Sequence, residues 1–165
     1  YDDSMIFGYA VGKTIESFYN TNIKKGSNVV VQAHEWQSGN AALYVKKHLP
    51  AVGTIFTTHA TSCGRSIASN GKPLYDYFEG YNGDQMASEL NVESKQSVEK
   101  VTAANIDCFT TVSEITAREC KQLLERECDV ILENGFEKDF VPVGKDFTAK
   151  ILPQRETERV QPVFV

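Results

Sequence analysis

The feature that most constrains the fold is an alternation between short runs of apolar residues and longer segments with helical spacing. The apolar runs lie at 28–34, 51–59, 108–112 and 129–132. Each run is continuous instead of alternating with polar residues, which is typical of strands in a parallel sheet that helices cover on both faces. The pattern therefore predicts an α/β fold, namely a Rossmann-like three-layer domain with a mostly parallel sheet.

Helical periodicity fills most of the chain between these runs. The predicted helices lie at 4–20, 38–48, 92–105 and 114–127. The side chains expected on their apolar faces are Ile6, Phe7, Ala10, Val11, Ile15, Phe18, Tyr19, Ala42, Leu43, Val45, Val98, Val101 and Ala104. Ser113 is a suitable N-cap for the last helix. The stretch 60–93 has no clean period, so we expect a long excursion with short helical pieces.

Size and charge limit the classes of protein to which the chain can belong. Its 165 residues suit one domain, which we expect over 1–142, with 143–165 as an unassigned tail. Lys and Arg number 17 against 22 Asp and Glu, a net charge of -5 that offers no broad basic surface for nucleic acid. No apolar run approaches the roughly 18 residues that a membrane span needs, so we expect no membrane partner.

The cysteines and the first residue bear on cellular context. The four cysteines stand singly, and none forms a C-x-x-C pair. Isolated thiols of this kind are typical of a reducing compartment, so we expect a cytoplasmic protein. The chain starts with Tyr1 instead of methionine, which suggests that it begins inside something longer or has been processed.

Polar side chains follow all four predicted strands. They include 34–36 after the first strand, 59–65 after the second, 113–114 after the third and 134–135 after the fourth. Ligands of open parallel sheets bind at the carboxyl ends of the strands. This edge of the sheet is therefore the predicted binding site.

The segment 57–65 holds four threonine or serine hydroxyls before Cys63, together with His59, Gly64 and Arg65. Arginine provides a planar fork for phosphate, histidine can donate or accept a proton near neutral pH, and Gly64 permits a close approach. These properties favour a binding or catalytic loop. A polar loop with a satisfied core histidine remains the alternative.

Two weaker hypotheses use the same loop. Cys63 could act as a nucleophile with His59 as its base, although no cysteine-hydrolase signature accompanies them. His34, His59 and Cys63 could bind a metal, although an H-x-x-x-C spacing alone is a weak signal. No G-x-G-x-x-G or P-loop sequence is present, so the usual signatures for NAD and ATP are missing.

The residues at the strand ends match a known family. The blocks that match are HEWQSGNAAL (34–43), VGTIFTTHATSCGR (52–65), FTTVSEITARECKQLL (109–124) and ENGFEKDF (133–140). In order and in spacing they resemble the N-terminal domain of glycogen synthases of the fungal and animal type, from about Met5 to Phe140. The TTHAT…GR and TTVS-x-IT-x-E blocks are specific only in combination.

The resemblance implies one half of a GT-B glycosyltransferase, built from two facing domains. The implied reaction moves glucose, with retention, from UDP-glucose or ADP-glucose to the non-reducing end of glycogen or a maltooligosaccharide, without metal or cofactor. His59 and Arg65 would be catalytic residues in the donor-sugar cleft. The implied substrate-binding residues are Glu35, on the acceptor side, and His34, Thr58 and Asn134.

The resemblance also implies that parts of the family's fold lie outside this chain. The family's first strand would precede Tyr1, and the second domain would supply the cations that hold the diphosphate. We therefore expect this chain alone to be inactive and the full-length protein to form a homo-oligomer. The alternatives are another GT-B glycosyltransferase, starch-synthase-like or sucrose-synthase-like, and a non-catalytic α/β module that binds glucan or a partner protein.

Overall fold

A computed structural model describes residues 1–135 of the protein. Its elements are α1 (Asp2–Asn22), β1 (Val30–His34), α2 (Glu35–His48), β2 (Gly53–Thr58), α3 (Ser62–Ser69), a 3-10 turn (Phe78–Gly80), α4 (Gly83–Glu89), α5 (Glu93–Asn105), β3 (Cys108–Thr111), α6 (Glu114–Leu123) and β4 (Val130–Ile131). The chain divides into two compact units, 1–133 and 134–165. The predicted tail 143–165 lies outside the described residues, so the domain boundary at 142 stays a prediction.

The four strands form one sheet in the order β1-β2-β3-β4, and all neighbouring strands are parallel. The predicted α/β class with a mostly parallel sheet is therefore confirmed. Each predicted strand is present, and the stretch 60–93 forms α3, the 3-10 turn and α4, as expected for an excursion with short helical pieces. None of the described helices is long and apolar enough to cross a lipid bilayer.

One face of the sheet supports the main core. Ala33, Phe56 and Phe109 lie side by side on adjacent strands, and all three are buried. Side chains from α2, α5 and α6 complete this cluster. The strands follow one another in a single direction across the sheet, so right-handed crossovers place these helices on the same face.

The opposite face is more exposed than the sequence predicted. Val30 is 60% exposed and Val130 is 45% exposed, while Ile55 and Cys108 are half-buried. Helices on both faces were expected from the continuous apolar runs, and the described residues do not provide the second layer of cover. Within residues 1–135, the crossover helices lie on one face of the sheet, and the predicted helices on the other face stay a prediction.

Helix α1 forms where it was predicted, but only part of its expected apolar face is covered: Ile15 and Tyr19 pack against a core cluster that includes Val45. Gly8 and Gly12 are the buried residues, and they lie against Asn40 and Tyr44 of α2. Several expected core residues are instead exposed, namely Ile6 at 69%, Phe7 at 56% and Phe18 at 58%. Glycine lets two helix backbones approach closely, so the small residues decide which side of α1 packs.

Two other helices differ from the prediction in which residues they bury. In α5 the buried residues are Gln96, Glu99, Thr102 and Ala103, whereas Val101 is 48% exposed and Ala104 is exposed. Helix α2 begins at Glu35 instead of at residue 38, and Tyr44 is buried where Leu43 was expected. The expected apolar face of α5 is not the buried one, because polar side chains of α5 form hydrogen bonds to neighbouring segments. A pattern of hydrophobic residues cannot show such bonds.

Candidate active site

A cleft of about 640 Å³ opens at the carboxyl ends of β1 and β2. Side chains from α2, the β2–α3 loop, α3 and α5 line it, including Glu35, Trp36, His59, Ser62, Arg65 and Lys95. The strand ends position these residues, because neighbouring parallel strands end at the same edge of the sheet. Three of the predicted site residues, Glu35, His59 and Arg65, are therefore brought together.

Glu35 is the first residue of α2 and has a left-handed backbone with φ of +62°. This conformation is unfavourable for a residue with a Cβ and persists only where the surroundings enforce it. Glu35 Oε1 accepts a hydrogen bond from the His59 backbone N–H at 2.9 Å and one from Arg65 Nη2 at 3.4 Å. The strained turn thus aims the carboxylate across the cleft at both predicted catalytic residues.

His34 and His59 face each other across the ends of β1 and β2. Nδ1 of His34 lies 3.1 Å from Nε2 of His59, and one of these two nitrogens donates to the other. A hydrogen bond between two imidazoles fixes the tautomer and the ring orientation of both. In this structure His34 therefore orients the His59 ring, and it forms no part of the cleft lining.

Two buried carboxylates hold the loop that bears His59. Glu119 Oε1 of α6 accepts hydrogen bonds from the Thr61 backbone N–H at 2.7 Å and the Thr61 hydroxyl at 2.5 Å. Glu99 Oε2 of α5 accepts hydrogen bonds from the Ser62 backbone N–H at 2.9 Å and the Ser62 hydroxyl at 2.5 Å. Both carboxylates are 2% exposed or less.

Burial disfavours the charged form of both groups. It raises the pKa of Glu99 to about 7, even though the Ser62 and Thr58 hydrogen bonds act in the opposite direction. Burial also raises the pKa of the Glu119 carboxyl, against the hydrogen bonds from Thr61 and the charge of Arg65. These acids are therefore held in the fold at an electrostatic cost.

Gly64 has a different role from the one that the sequence suggested. A Cβ at this position would overlap the Glu119 carboxylate, and it would also lie 2.8 Å from the Thr61 hydroxyl. The close approach that Gly64 permits is thus made by a side chain of the same protein. Gly64 is required in α3 because Glu119 lies directly against it.

The remaining predicted residues lie away from the cleft surface or outside its unit. Thr58 is fully buried, and its hydroxyl donates to Glu99 Oε1 at 3.3 Å, so here it supports the loop instead of facing a substrate. Asn134 is exposed and belongs to the unit 134–165. Its role as a substrate-binding residue stays a prediction.

The two weaker hypotheses for this loop gain no support from the structure. Cys63 is fully buried, and burial raises the pKa of its thiol to about 12, so the thiol stays protonated near neutral pH. Among residues 1–135, no group of three His, Cys, Asp or Glu side chains is arranged to hold a metal ion. The predicted N-cap at Ser113 is confirmed, since its hydroxyl accepts from the Thr116 backbone N–H at 3.2 Å.

The cleft also contains two cations. The Arg65 side chain is 58% exposed, and its nearest carboxylate partner is Glu35 at 3.4 Å. Lys95 Nζ lies 5.6 Å from the centre of the Trp36 ring, within the range of a cation–π contact. Trp36 lies within the segment 34–36 that the sequence placed at the binding edge of the sheet, whereas sequence reasoning did not assign Lys95 to the site.

Comparison with known proteins gives the family to which the chain is similar. A family model described as glycogen synthase matches residues 1–161. A glycogen (starch) synthase of Dictyostelium discoideum is 38% identical over 138 residues, which cover 84% of this chain and 16% of that protein. A glycogen (starch) synthase of Neurospora crassa is 35% identical over 134 residues, which cover 81% of this chain and 19% of that protein.

A mammalian relative gives the same coverage. The liver glycogen (starch) synthase of Homo sapiens is 34% identical over 134 residues, or 81% of this chain and 19% of the human protein. The chain thus spans less than a fifth of the length of the curated relatives it matches.

Proposed function

The chain belongs to the glycogen synthase family, and on that premise we propose that it contributes the cleft described above to a retaining glucosyltransferase. The proposed reaction moves glucose from a nucleotide-glucose, with UDP-glucose favoured, to the non-reducing end of an α-1,4-glucan such as glycogen or a maltooligosaccharide. The observation that supports it best is the convergence of Glu35, His59 and Arg65 on one cleft at the carboxyl ends of parallel strands.

The charges of the cleft suit the chemistry of glucosyl transfer. Positive charge develops at the anomeric carbon as the bond to the diphosphate lengthens, and preorganised dipoles and anions stabilise it. In the proposed roles, His59 lies beside the donor sugar, Glu35 faces the acceptor side, and His34 orients the His59 ring. Arg65 and Lys95 are positioned to balance negative charge on the substrate.

The proposal includes no metal ion or other cofactor. Two cationic side chains in the cleft, Arg65 and Lys95, provide positive charge for a departing diphosphate without one. Further cationic side chains are expected from the remainder of the intact protein, because this chain spans less than a fifth of the length of its relatives. We expect transfer by the intact protein to persist in excess EDTA.

Transfer of labelled glucose to glycogen by the intact protein tests the proposal. UDP-glucose and ADP-glucose are offered separately, with His59→Ala as the test variant and His48→Ala, an exposed histidine at the far end of α2, as its matched control. We expect incorporation from UDP-glucose, a loss of at least about 100-fold in His59→Ala and no loss in His48→Ala. Folded intact protein that incorporates glucose from neither donor would contradict the proposal.

Cellular location and assembly complete the proposal. All four cysteines are free, which supports a cytoplasmic location for the protein. We also propose a homo-oligomer for the intact protein. Light scattering of the intact protein in solution measures this directly.

A further inference from the structure

We propose that Glu99 and Glu119 are positioning residues for glucosyl transfer, which fix the backbone from His59 to Ser62 and thereby the place of the His59 side chain. This inference rests on the proposed function and deepens it. Neither acid lines the cleft, and neither is in reach of a substrate there. Their effect is transmitted through the loop that they bind.

Three carboxylates bind three of the four residues from His59 to Ser62. The backbone N–H groups of His59, Thr61 and Ser62 donate to Glu35, Glu119 and Glu99, at 2.9, 2.7 and 2.9 Å. The three acids come from α2, α6 and α5, so three separate helices fix one short segment. When these carboxylates are ionised, hydrogen bonds to them are roughly twice as strong as neutral ones.

A second contact from α6 binds the backbone carbonyl group of His59. The Thr116 hydroxyl lies 3.4 Å from the His59 backbone oxygen, to which it donates. Both the N–H and the C=O of His59 therefore have partners that come from different helices, Glu35 and Thr116. With the ring hydrogen-bonded to His34 as well, the orientation of His59 is determined at three points.

The electrostatic cost of this arrangement argues for a functional purpose. Glu99 and Glu119 are buried, and neither forms an ion pair with a Lys or Arg in the described part of the chain. Buried charges without a cationic partner lower stability, and apolar replacements of buried charged groups often restore it. Groups of this kind are retained where they preorganise a site.

The same contacts also occupy the start of α3. The Ser62 N–H donates to Glu99, and the Gly64 N–H donates to the Thr61 hydroxyl at 2.9 Å. These first-turn donors are used within the protein, so they are not available to a substrate phosphate. The cationic side chains of Arg65 and Lys95 line the cleft there and remain available for anionic substrate groups.

The test compares steady-state transfer by the intact protein in Glu99→Ala, Glu119→Ala, Glu99→Gln and Glu119→Gln. The alanine variants should lose about 10- to 100-fold in kcat, with the KM for the donor within about threefold, because a shift of about 1 Å at a reacting group costs on this scale. The glutamine variants keep an acceptor oxygen of the same reach and should recover most of kcat. Asp107→Ala, at the opposite end of the sheet, is the matched control and should leave kcat unchanged.

Hydrogen exchange of the peptide spanning 58–66 gives a second measurement that does not depend on transfer. We expect its amides to exchange at least about tenfold faster in both alanine variants and at the wild-type rate in Asp107→Ala. If an alanine variant does not fold, Ser62→Ala removes one hydroxyl contact of Glu99 and should lower kcat by a fewfold.

The outcomes separate the two proposals. Unchanged kcat in the folded alanine variants, or unchanged exchange of 58–66, overturns the positioning role. If kcat falls as far in the glutamine variants as in the alanine variants, the positioning role is also overturned, because glutamine keeps an acceptor oxygen. Wild-type protein that transfers no glucose overturns the proposed function alone, and the exchange measurement then still decides whether the carboxylates fix the loop.

Discussion

The two ends of β2 make the same type of contact in opposite electrostatic surroundings. At its amino end, Asp107 Oδ2 accepts from the Thr54 backbone N–H at 2.9 Å and from the Thr54 hydroxyl at 2.6 Å. Just beyond its carboxyl end, Glu119 accepts from the N–H and the hydroxyl of Thr61. Asp107 is exposed and paired with Lys46, whereas Glu119 is buried and forms no ion pair within residues 1–135.

The pKa values follow this difference. The Lys46 ammonium and the Thr54 hydrogen bonds lower the pKa of Asp107 to about 2. Burial instead raises the pKa of Glu119, and it raises the pKa of Glu99 to about 7. The amino end of the sheet thus stabilises the fold, while the carboxyl end fixes the loop that bears His59 at some cost in stability.

Replacing a glycine by alanine near each end of β2 should give the largest difference in the free energy of unfolding. In Gly64→Ala the new methyl group overlaps the Glu119 carboxylate, whereas in Gly53→Ala it meets Val30 at an ordinary 3.4 Å. We expect Gly64→Ala to lower the free energy of unfolding by about 2–4 kcal/mol, because buried donors lose their acceptor. Gly53→Ala should change it by less than about 1 kcal/mol. Urea denaturation of the two variants measures both values, and equal losses would remove the contrast.

The pH dependence of stability should differ between the ends as well. Glu99 binds its proton more tightly in the folded state, so its contribution is fully present below its unfolded pKa of 4.5 and is lost as pH rises towards about 7. This loss amounts to about 2–3 kcal/mol. Glu99→Gln should remove that decline, so the variant gains on the wild type as pH rises from 4.5 to 7. Denaturant titrations across this range check the result, and parallel curves would contradict it.

Asp107→Asn should have the smallest effect on the free energy of unfolding. Its dependence on pH should be opposite to that of Glu99→Gln. Its lowered pKa contributes stability that is present above 3.8 and is lost as pH falls towards about 2. Because the side chain is 45% exposed, solvent screening limits the contribution of its pairing with Lys46 to about 0.5–1 kcal/mol. Unfolding measured at pH 7 and pH 2.5 should show a larger deficit in Asp107→Asn at the higher pH, and equal deficits would contradict this.

The sequence was sufficient for the sheet and for the location of the cleft. Continuous apolar runs and their polar ends led to the parallel strands and to Glu35, His59 and Arg65, because strand ends in a parallel sheet meet at one edge. It was insufficient for the helix faces. Gly8 on α1 and Glu99 on α5 are buried. A pattern of hydrophobic residues does not predict the burial of a glycine or a glutamate.

The sequence also missed what supports the site. Glu119 lies 58 residues from Thr61, and an acidic residue in a helix is usually exposed, so nothing local signalled its burial. Gly64 was expected to admit a ligand and instead admits the Glu119 carboxylate. The usable signal was the density of hydroxyls around His59, since buried hydroxyls and amides require acceptors.

The most direct test of this contrast is the kcat for glucosyl transfer by intact Gly64→Ala and intact Gly53→Ala, each corrected for its folded fraction. We predict a loss of about tenfold or more in Gly64→Ala, because displaced Glu119 releases the loop that bears His59, and no loss in Gly53→Ala. Equal kcat values in the two folded variants would contradict the account.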